Sequence, residues 1–69
     1  MRAREVARKL VDRGATEIRR KGSHRRFRSA CGKCSTTVPD HAGADIPRGT
    51  LGGIQKDMEP CYGKGWLFG

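Results

Sequence analysis

The sequence predicts an α+β fold of the order α-β-β-β-α, with two helices packed on one face of a three-stranded antiparallel sheet. Three observations predict it. Apolar residues recur at helical spacing in residues 2–13, strand-like stretches fill residues 15–39, and helical spacing returns after Pro47. The chain has only 69 residues. A single sheet face is therefore the simplest surface on which two apolar helical stripes can be buried.

The first helix is predicted over residues 2–13. Its apolar stripe consists of Ala3, Val6, Ala7, Leu10 and Val11. Charged residues occupy the other side, and Gly14 suits the left-handed conformation that often follows the end of a helix. The second helix is predicted to begin at Pro47 and to end at Pro60.

The three strands are predicted over residues 15–21, 24–30 and 35–39. Strict alternation along the first strand would place Thr16, Ile18 and Arg20 on one face. The residues expected to share one face of the second strand are Arg25, Phe27 and Ser29. Gly22-Ser23 marks the turn between these strands. The whole layout is that of a double-stranded-RNA-binding domain, which recognises A-form RNA largely by shape.

The last residues differ in composition from the rest of the chain. We expect one domain over residues 1–59 and a tail over residues 60–69, which is rich in glycine and holds three of the four aromatic residues. Two interpretations of the tail remain open. Its aromatic side chains complete the thin core of a small domain, or they dock onto a partner protein.

The excess positive charge lies in the N-terminal half. Residues 1–30 contain 11 Lys and Arg against 3 acidic residues, whereas residues 31–69 contain 4 of each. This asymmetry favours a polyanionic partner, nucleic acid first, although a merely solvated basic surface is the alternative. The longest apolar run is Trp66-Leu67-Phe68. We therefore expect a soluble, cytoplasmic protein without a membrane partner.

His24 is the candidate catalytic residue. The chain lacks the clustered carboxylates of a metal-dependent nuclease, a phosphate-binding glycine loop and a nucleophile elbow. The many cations around His24 favour a neutral imidazole at pH 7, which can accept a proton. RNA carries its own nucleophile, the 2′-OH, so one base and several cations could cleave it without metal and leave a cyclic phosphate. The alternative is an ordinary surface histidine on a non-catalytic RNA-binding module.

Five further residues near His24 are predicted to belong to the RNA-binding site. Lys21, Arg25 and Arg26 are the nearest candidate phosphate contacts, and Gly22 and Ser23 set the turn. His41, at the end of the third strand, has two interpretations. It is a loop histidine that holds backbone groups, or it is a second acid/base or phosphate contact near His24.

The three cysteines allow two interpretations. Cys31 and Cys34 have C-x₂-C spacing, and Cys61 lies far downstream. They could form a zinc site together with His41. The alternative, which we favour, is a reduced cross-strand pair of Cys31 and Cys34 at a hairpin turn. No metal and no cofactor is therefore predicted.

Several motifs together resemble the HicA family of toxin ribonucleases. They are Lys21-Gly22-Ser23-His24, Phe27, Thr37-Val38-Pro39-Asp40-His41 and Pro47-Arg48-Gly49-Thr50-Leu51. The resemblance covers about residues 4–58. The turn over residues 31–34, the pair Gly52-Gly53 and the tail depart from the family pattern.

The resemblance has several implications. It implies a fold like a double-stranded-RNA-binding domain and a toxin of a type II toxin–antitoxin system. This toxin would cleave mRNA, would not act on DNA directly, and would be inhibited by a HicB-type antitoxin. The family's catalytic histidine falls on His24, and its V-P-x-H position falls on His41.

Overall fold

The computed structural model describes residues 1–68 and has the predicted order of elements. These are α1 (Ala3–Asp12), β1 (Thr16–Lys21), β2 (His24–Arg28), β3 (Ser35–Pro39) and α2 (Arg48–Tyr62). The strands form one antiparallel sheet in the order β1-β2-β3. Both helices contribute to a single core against one face of this sheet. The predicted α+β fold, similar to that of a double-stranded-RNA-binding domain, is confirmed.

Helix α1 buries most of the expected stripe. Its buried residues are Ala3, Val6, Ala7 and Leu10. Val11 is 54% exposed, so the buried stripe is narrower by one residue than predicted. Gly14 adopts a φ of +93°, and the backbone N–H of Ala15 donates to the carbonyl of Leu10 at 3.0 Å. This left-handed residue turns the chain from the helix into β1.

A β-bulge in β1 changes the predicted alternation. Lys21 pairs with His24 across the two-residue turn, and Arg19 pairs with Arg26. The register then shifts between Glu17 and Arg19, so that Glu17 pairs with the buried Phe27. The expectation of strict alternation is therefore wrong, because Ile18 is an extra residue in the strand.

Helix α2 continues past the residue that was expected to end it. It begins at Arg48, one residue later than predicted, and it runs through Pro60 to Tyr62. Pro60 has no N–H to donate to the carbonyl four residues earlier, but only one helical bond is lost so near the end. Helical hydrogen bonding continues past Pro60, since the N–H of Gly63 donates to the carbonyl of Glu59 at 2.8 Å.

The tail packs into the same core as the helices. Trp66 and Leu67 are buried, with 5% and 1% of their surfaces exposed. The Trp66 indole N–H donates to the Gln55 carbonyl at 2.8 Å, and the Gln55 side-chain oxygen accepts the N–H of Leu67 at 3.1 Å. The Arg13 guanidinium lies 5.8 Å from the centre of the Trp66 ring. For Trp66 and Leu67 the core-completing interpretation is confirmed.

Within residues 1–68, none of the helices has both the length and the apolar character needed to cross a membrane.

Candidate functional site

The sheet face turned away from the helices is strongly basic. Paired residues in an antiparallel sheet share a face. The side chains of Phe27 and Val38 are buried on the helix side, so the register shows which side chains lie on the other face of the sheet. The basic members of this set are Arg19, Lys21, His24, Arg26 and Arg28. We call them the open-face cations, counting His24 with them because it gains a charge when protonated. Within the three strands, no acidic residue shares this face.

His24 lies in a small pocket on this face. The pocket has a volume of about 230 Å³. Its lining consists of Arg19, Lys21, His24, Arg26 and Thr37. His24 is exposed, so its imidazole is accessible to a ligand. Three cations, one hydroxyl and one imidazole around one cavity favour an anionic group such as phosphate.

Arg26 is held in place by neutral partners. Its guanidinium donates to the Thr37 hydroxyl at 3.0 Å and to the Ser35 hydroxyl at 2.8 Å. Both partners belong to β3, which lies beside β2. Because neither hydroxyl carries a charge, the positive charge of Arg26 is oriented but not neutralised. The remaining N–H donors of the guanidinium are therefore available to an anion.

Arg25 lies on the opposite face. Two of its nitrogens donate to the two carboxylate oxygens of Glu17, at 2.9 and 3.0 Å. A second carboxylate, that of Asp40, lies 3.7 Å from the guanidinium. The hydrogen bond from Arg25 lowers the pKa of Glu17, and the same bond raises the pKa of Arg25. The structure therefore does not bring Arg25 into the His24 pocket, and two acidic residues offset its charge.

The other predicted RNA contacts lie at the turn end of the sheet. Gly22 and Ser23 form the β1–β2 turn, and Gly22 has a φ of +58°. The backbone N–H of Asp40 donates to the Ser23 carbonyl at 2.6 Å. This bond holds the loop after β3 beside the turn. His41 follows in that loop and is exposed, but it does not line the pocket.

A family comparison identifies the chain. The model described as "HicA toxin of bacterial toxin-antitoxin" matches residues 3–59 of the 69-residue chain. The chain belongs to the HicA toxin family. It is thus a toxin of a bacterial toxin–antitoxin system, and membership implies a cognate antitoxin. The matched residues include every residue that lines the His24 pocket. No curated protein matches the sequence.

Sequence reasoning missed three residues of the basic face in this HicA-family chain. Arg19 and Thr37 line the pocket, and Arg28 lies further along the same face. The two-residue turn after Lys21 was the signal that could have identified Arg19. Such a turn fixes the register of a hairpin, which pairs Lys21 with His24 and, two residues further, Arg19 with Arg26.

The cysteines of this HicA-family chain differ from both sequence interpretations. Cys34 forms a disulfide bond with Cys61, and Cys31 is free and exposed. The expected pair of Cys31 and Cys34 is therefore wrong, because the end of α2 brings Cys61 to the start of β3. His41 lies beyond the other end of β3, so the zinc ligand set is not assembled. Residues 1–68 contain no group of three or more His, Cys, Asp or Glu side chains that could hold a metal ion.

Proposed function

We propose that this HicA-family toxin is a metal-independent endoribonuclease that cleaves mRNA with His24 as its catalytic residue. One observation carries the proposal. An exposed imidazole lies in a pocket whose other lining groups are three cations and one hydroxyl. This set matches the needs of RNA cleavage, which are a proton acceptor for the 2′-OH and positive charge for the phosphate.

The reaction follows from the groups in the pocket. The neutral imidazole of His24 accepts the proton of the 2′-OH, and the 2′ oxygen attacks the adjacent phosphorus. The bond from phosphorus to the 5′ oxygen breaks, and the leaving 5′ oxygen takes a proton from water, which yields a 2′,3′-cyclic phosphate and a 5′-hydroxyl end. Arg19, Lys21 and Arg26 hold the non-bridging oxygens as negative charge develops on them. A single positioned base contributes about 10²–10⁴-fold to the rate.

The substrate and the partners follow from the same chemistry. Metal is not required, because the substrate supplies its own nucleophile. DNA has no 2′-OH, so it is not a substrate. We infer that the toxin acts on mRNA in the cytoplasm, where messages are translated. We also infer that a HicB-type antitoxin with an acidic surface covers the open-face cations, in an association that weakens as salt rises.

Cleavage in EDTA tests the proposal. Purified protein and its His24→Ala variant are incubated with RNA with and without the chelator, and binding to the same RNA is measured by fluorescence anisotropy. We expect the wild type to cleave, and the variant to lose about 10²–10⁴-fold in rate. Binding should fall only a few-fold, because most of the phosphate contacts remain.

Three results would contradict the proposal. Loss of wild-type cleavage in EDTA would show that a metal takes part. Equal cleavage by wild type and His24→Ala would remove the catalytic role of His24. If neither protein cleaves RNA with or without EDTA but both bind it, the protein is a non-catalytic RNA-binding module, which the same basic face also favours.

A further inference from the structure

The three cysteines converge on one hydroxyl group at the end of β2 that is distant from His24. The Ser29 hydroxyl oxygen lies 3.3 Å from the sulfur of Cys31 and 3.6 Å from the sulfur of Cys61. The same oxygen accepts the backbone N–H of Cys34 at 3.1 Å. The sulfurs of Cys31 and Cys61 are 3.6 Å apart. One free thiol therefore lies beside a disulfide bond.

The members of this cysteine cluster (Cys31, Cys34 and Cys61) differ in accessibility. Cys31 is exposed, Cys61 is half-buried, and Cys34 is buried. The Ser29 hydroxyl, the backbone N–H of Lys33 and the Lys33 charge all lower the pKa of the Cys31 thiol. The thiolate is the form that reacts with disulfides. Cys31 is thus the cysteine that an external reagent reaches most easily, and its sulfur lies next to Cys61.

We propose that Cys31 is a modification site for low-molecular-weight disulfides of the glutathione class, and that Cys61 resolves the mixed disulfide formed there. The bond between Cys34 and Cys61 is then the end product of a relay. The inference is independent of RNA cleavage, because the cysteine cluster and the His24 pocket lie at opposite ends of β2.

The relay consists of three thiol–disulfide exchange steps that start from the reduced protein. The Cys31 thiolate attacks the small disulfide RSSR, which forms a Cys31–SR bond and releases RS⁻. The Cys61 thiol, after losing its proton to water, attacks the Cys31 sulfur and releases the second RS⁻. The Cys34 thiolate then attacks the Cys61 sulfur, and Cys31 leaves as a thiolate. Two protein thiols are oxidised, and one RSSR is reduced to two RSH.

The end product links distant parts of the chain. It joins the start of β3 to the last turn of α2, just before the tail that buries Trp66. In a compartment rich in small thiols the reduced form prevails, and a rise in small disulfides closes the link. The exchange therefore makes the attachment of the last turn and the tail depend on the thiol–disulfide balance around the protein.

Trypsin places each cysteine in a separate peptide, which allows the relay to be followed. Cleavage after Arg28, Lys33, Arg48, Lys56 and Lys64 gives peptides 29–33, 34–48 and 57–64 with one cysteine each. The fully reduced full-length protein is mixed with oxidised glutathione, quenched with acid at increasing times, blocked and mapped by mass spectrometry. The variants Cys31→Ser and Cys34→Ser are treated in parallel, and circular dichroism checks their fold.

We expect glutathione to appear first on peptide 29–33 of the wild type. Cys31→Ser should close the bond between Cys34 and Cys61 about tenfold more slowly or worse, because it lacks the reactive thiolate. Cys34→Ser should stop at a bond between Cys31 and Cys61. Three results would overturn the proposal: closure of Cys31→Ser at the wild-type rate, a first adduct on another cysteine, or a lasting glutathione adduct in Cys34→Ser.

Discussion

Arg25 and Arg26 are neighbours in β2, but the sheet directs them to opposite faces. Arg26 lines the His24 pocket, whereas Arg25 is paired with Glu17 on the helix side. Removing either side chain changes the net charge of the protein by the same amount. The pair of variants Arg26→Gln and Arg25→Gln therefore separates local phosphate contact from the effect of net charge. Both are made in a His24→Ala background, so that RNA remains intact during binding measurements.

The expected magnitude follows from the number of open-face cations. Four of them are lysine or arginine, namely Arg19, Lys21, Arg26 and Arg28. Each phosphate neutralised on a single strand contributes about 0.7 to the slope of log affinity against log salt. Four contacts thus give a slope of about −2.8, which is a loss of roughly 50-fold between about 50 and 200 mM salt. Without Arg26 the slope becomes about −2.1, and the loss becomes roughly 20-fold.

Arg25→Gln should keep the slope of its parent. Its charge is already offset by two carboxylates, and bulk salt screens charges that are more than about 8–10 Å apart. The assay is the fluorescence anisotropy of a labelled single-stranded RNA at four or more salt concentrations. If both variants lower the slope equally, net charge alone governs binding. If Arg26→Gln leaves the slope unchanged, the open face is not the RNA surface.

Two further predictions concern stability, with the fluorescence of Trp66, the only tryptophan, as the probe. Cys61→Ser cannot form the disulfide bond, so its free energy of unfolding should be about 3.5 kcal/mol lower than that of the oxidised wild type. This is the entropy that the unfolded chain regains when the loop between cysteines 27 residues apart is no longer closed. The melting temperature of Cys61→Ser should then be about 15–25 °C below that of the oxidised wild type. The oxidised Cys31→Ser control keeps the disulfide bond and should melt at the wild-type temperature. Equal melting temperatures of oxidised and reduced wild type would contradict this prediction. The second variant is Glu17→Gln. Arg25 lowers the pKa of Glu17 in the folded protein. The ion pair therefore stabilises the fold fully at pH values above the ordinary glutamate pKa of about 4.3, and this stabilisation is lost as the pH falls through the lower pKa of the folded state. The free energy of unfolding of the wild type should therefore exceed that of Glu17→Gln by less than about 1 kcal/mol near neutral pH, since the ion pair is partly exposed. This difference should vanish in acid. A difference that stays constant with pH would refute the role of the ion pair.

The sequence predicted the features that depend on local patterns. The apolar spacing of α1, the Gly22-Ser23 turn and the β-branched third strand each determine their structure within a few residues. The prediction that cations surround His24 holds because its neighbours in the chain are also its neighbours on the sheet. The same reasoning grouped Arg25 with His24, whereas the structure places Arg25 on the other face, because adjacent residues in a strand point to opposite faces.

The features that the sequence did not predict depend on contacts between distant segments. The disulfide partner of Cys34 is decided by where α2 ends, 27 residues along the chain. Helix α2 continues past Pro60, and the next residue, Cys61, is tied to the start of β3 by the disulfide bond. Neither effect leaves a signal in local spacing, so a pattern that normally ends a helix was misleading here.

The β-bulge at Ile18 decides the charge of the candidate site. In a regular strand with the observed turn, Ile18 would pair with Phe27, and Glu17 would pair with Arg28 on the open face. A carboxylate would then lie beside the cations that we assign to the phosphates, and it would repel them. The extra residue moves Glu17 to the helix side, where its carboxylate binds Arg25 at 2.9 Å. The extra residue thus affects both faces of the sheet. It brings Glu17 to Arg25 on the helix side, and it leaves the open face of the three strands without an acidic residue. The net charge of +8 is therefore a poor measure of what an approaching anion encounters, since the register of two strands determines where that charge is uncompensated.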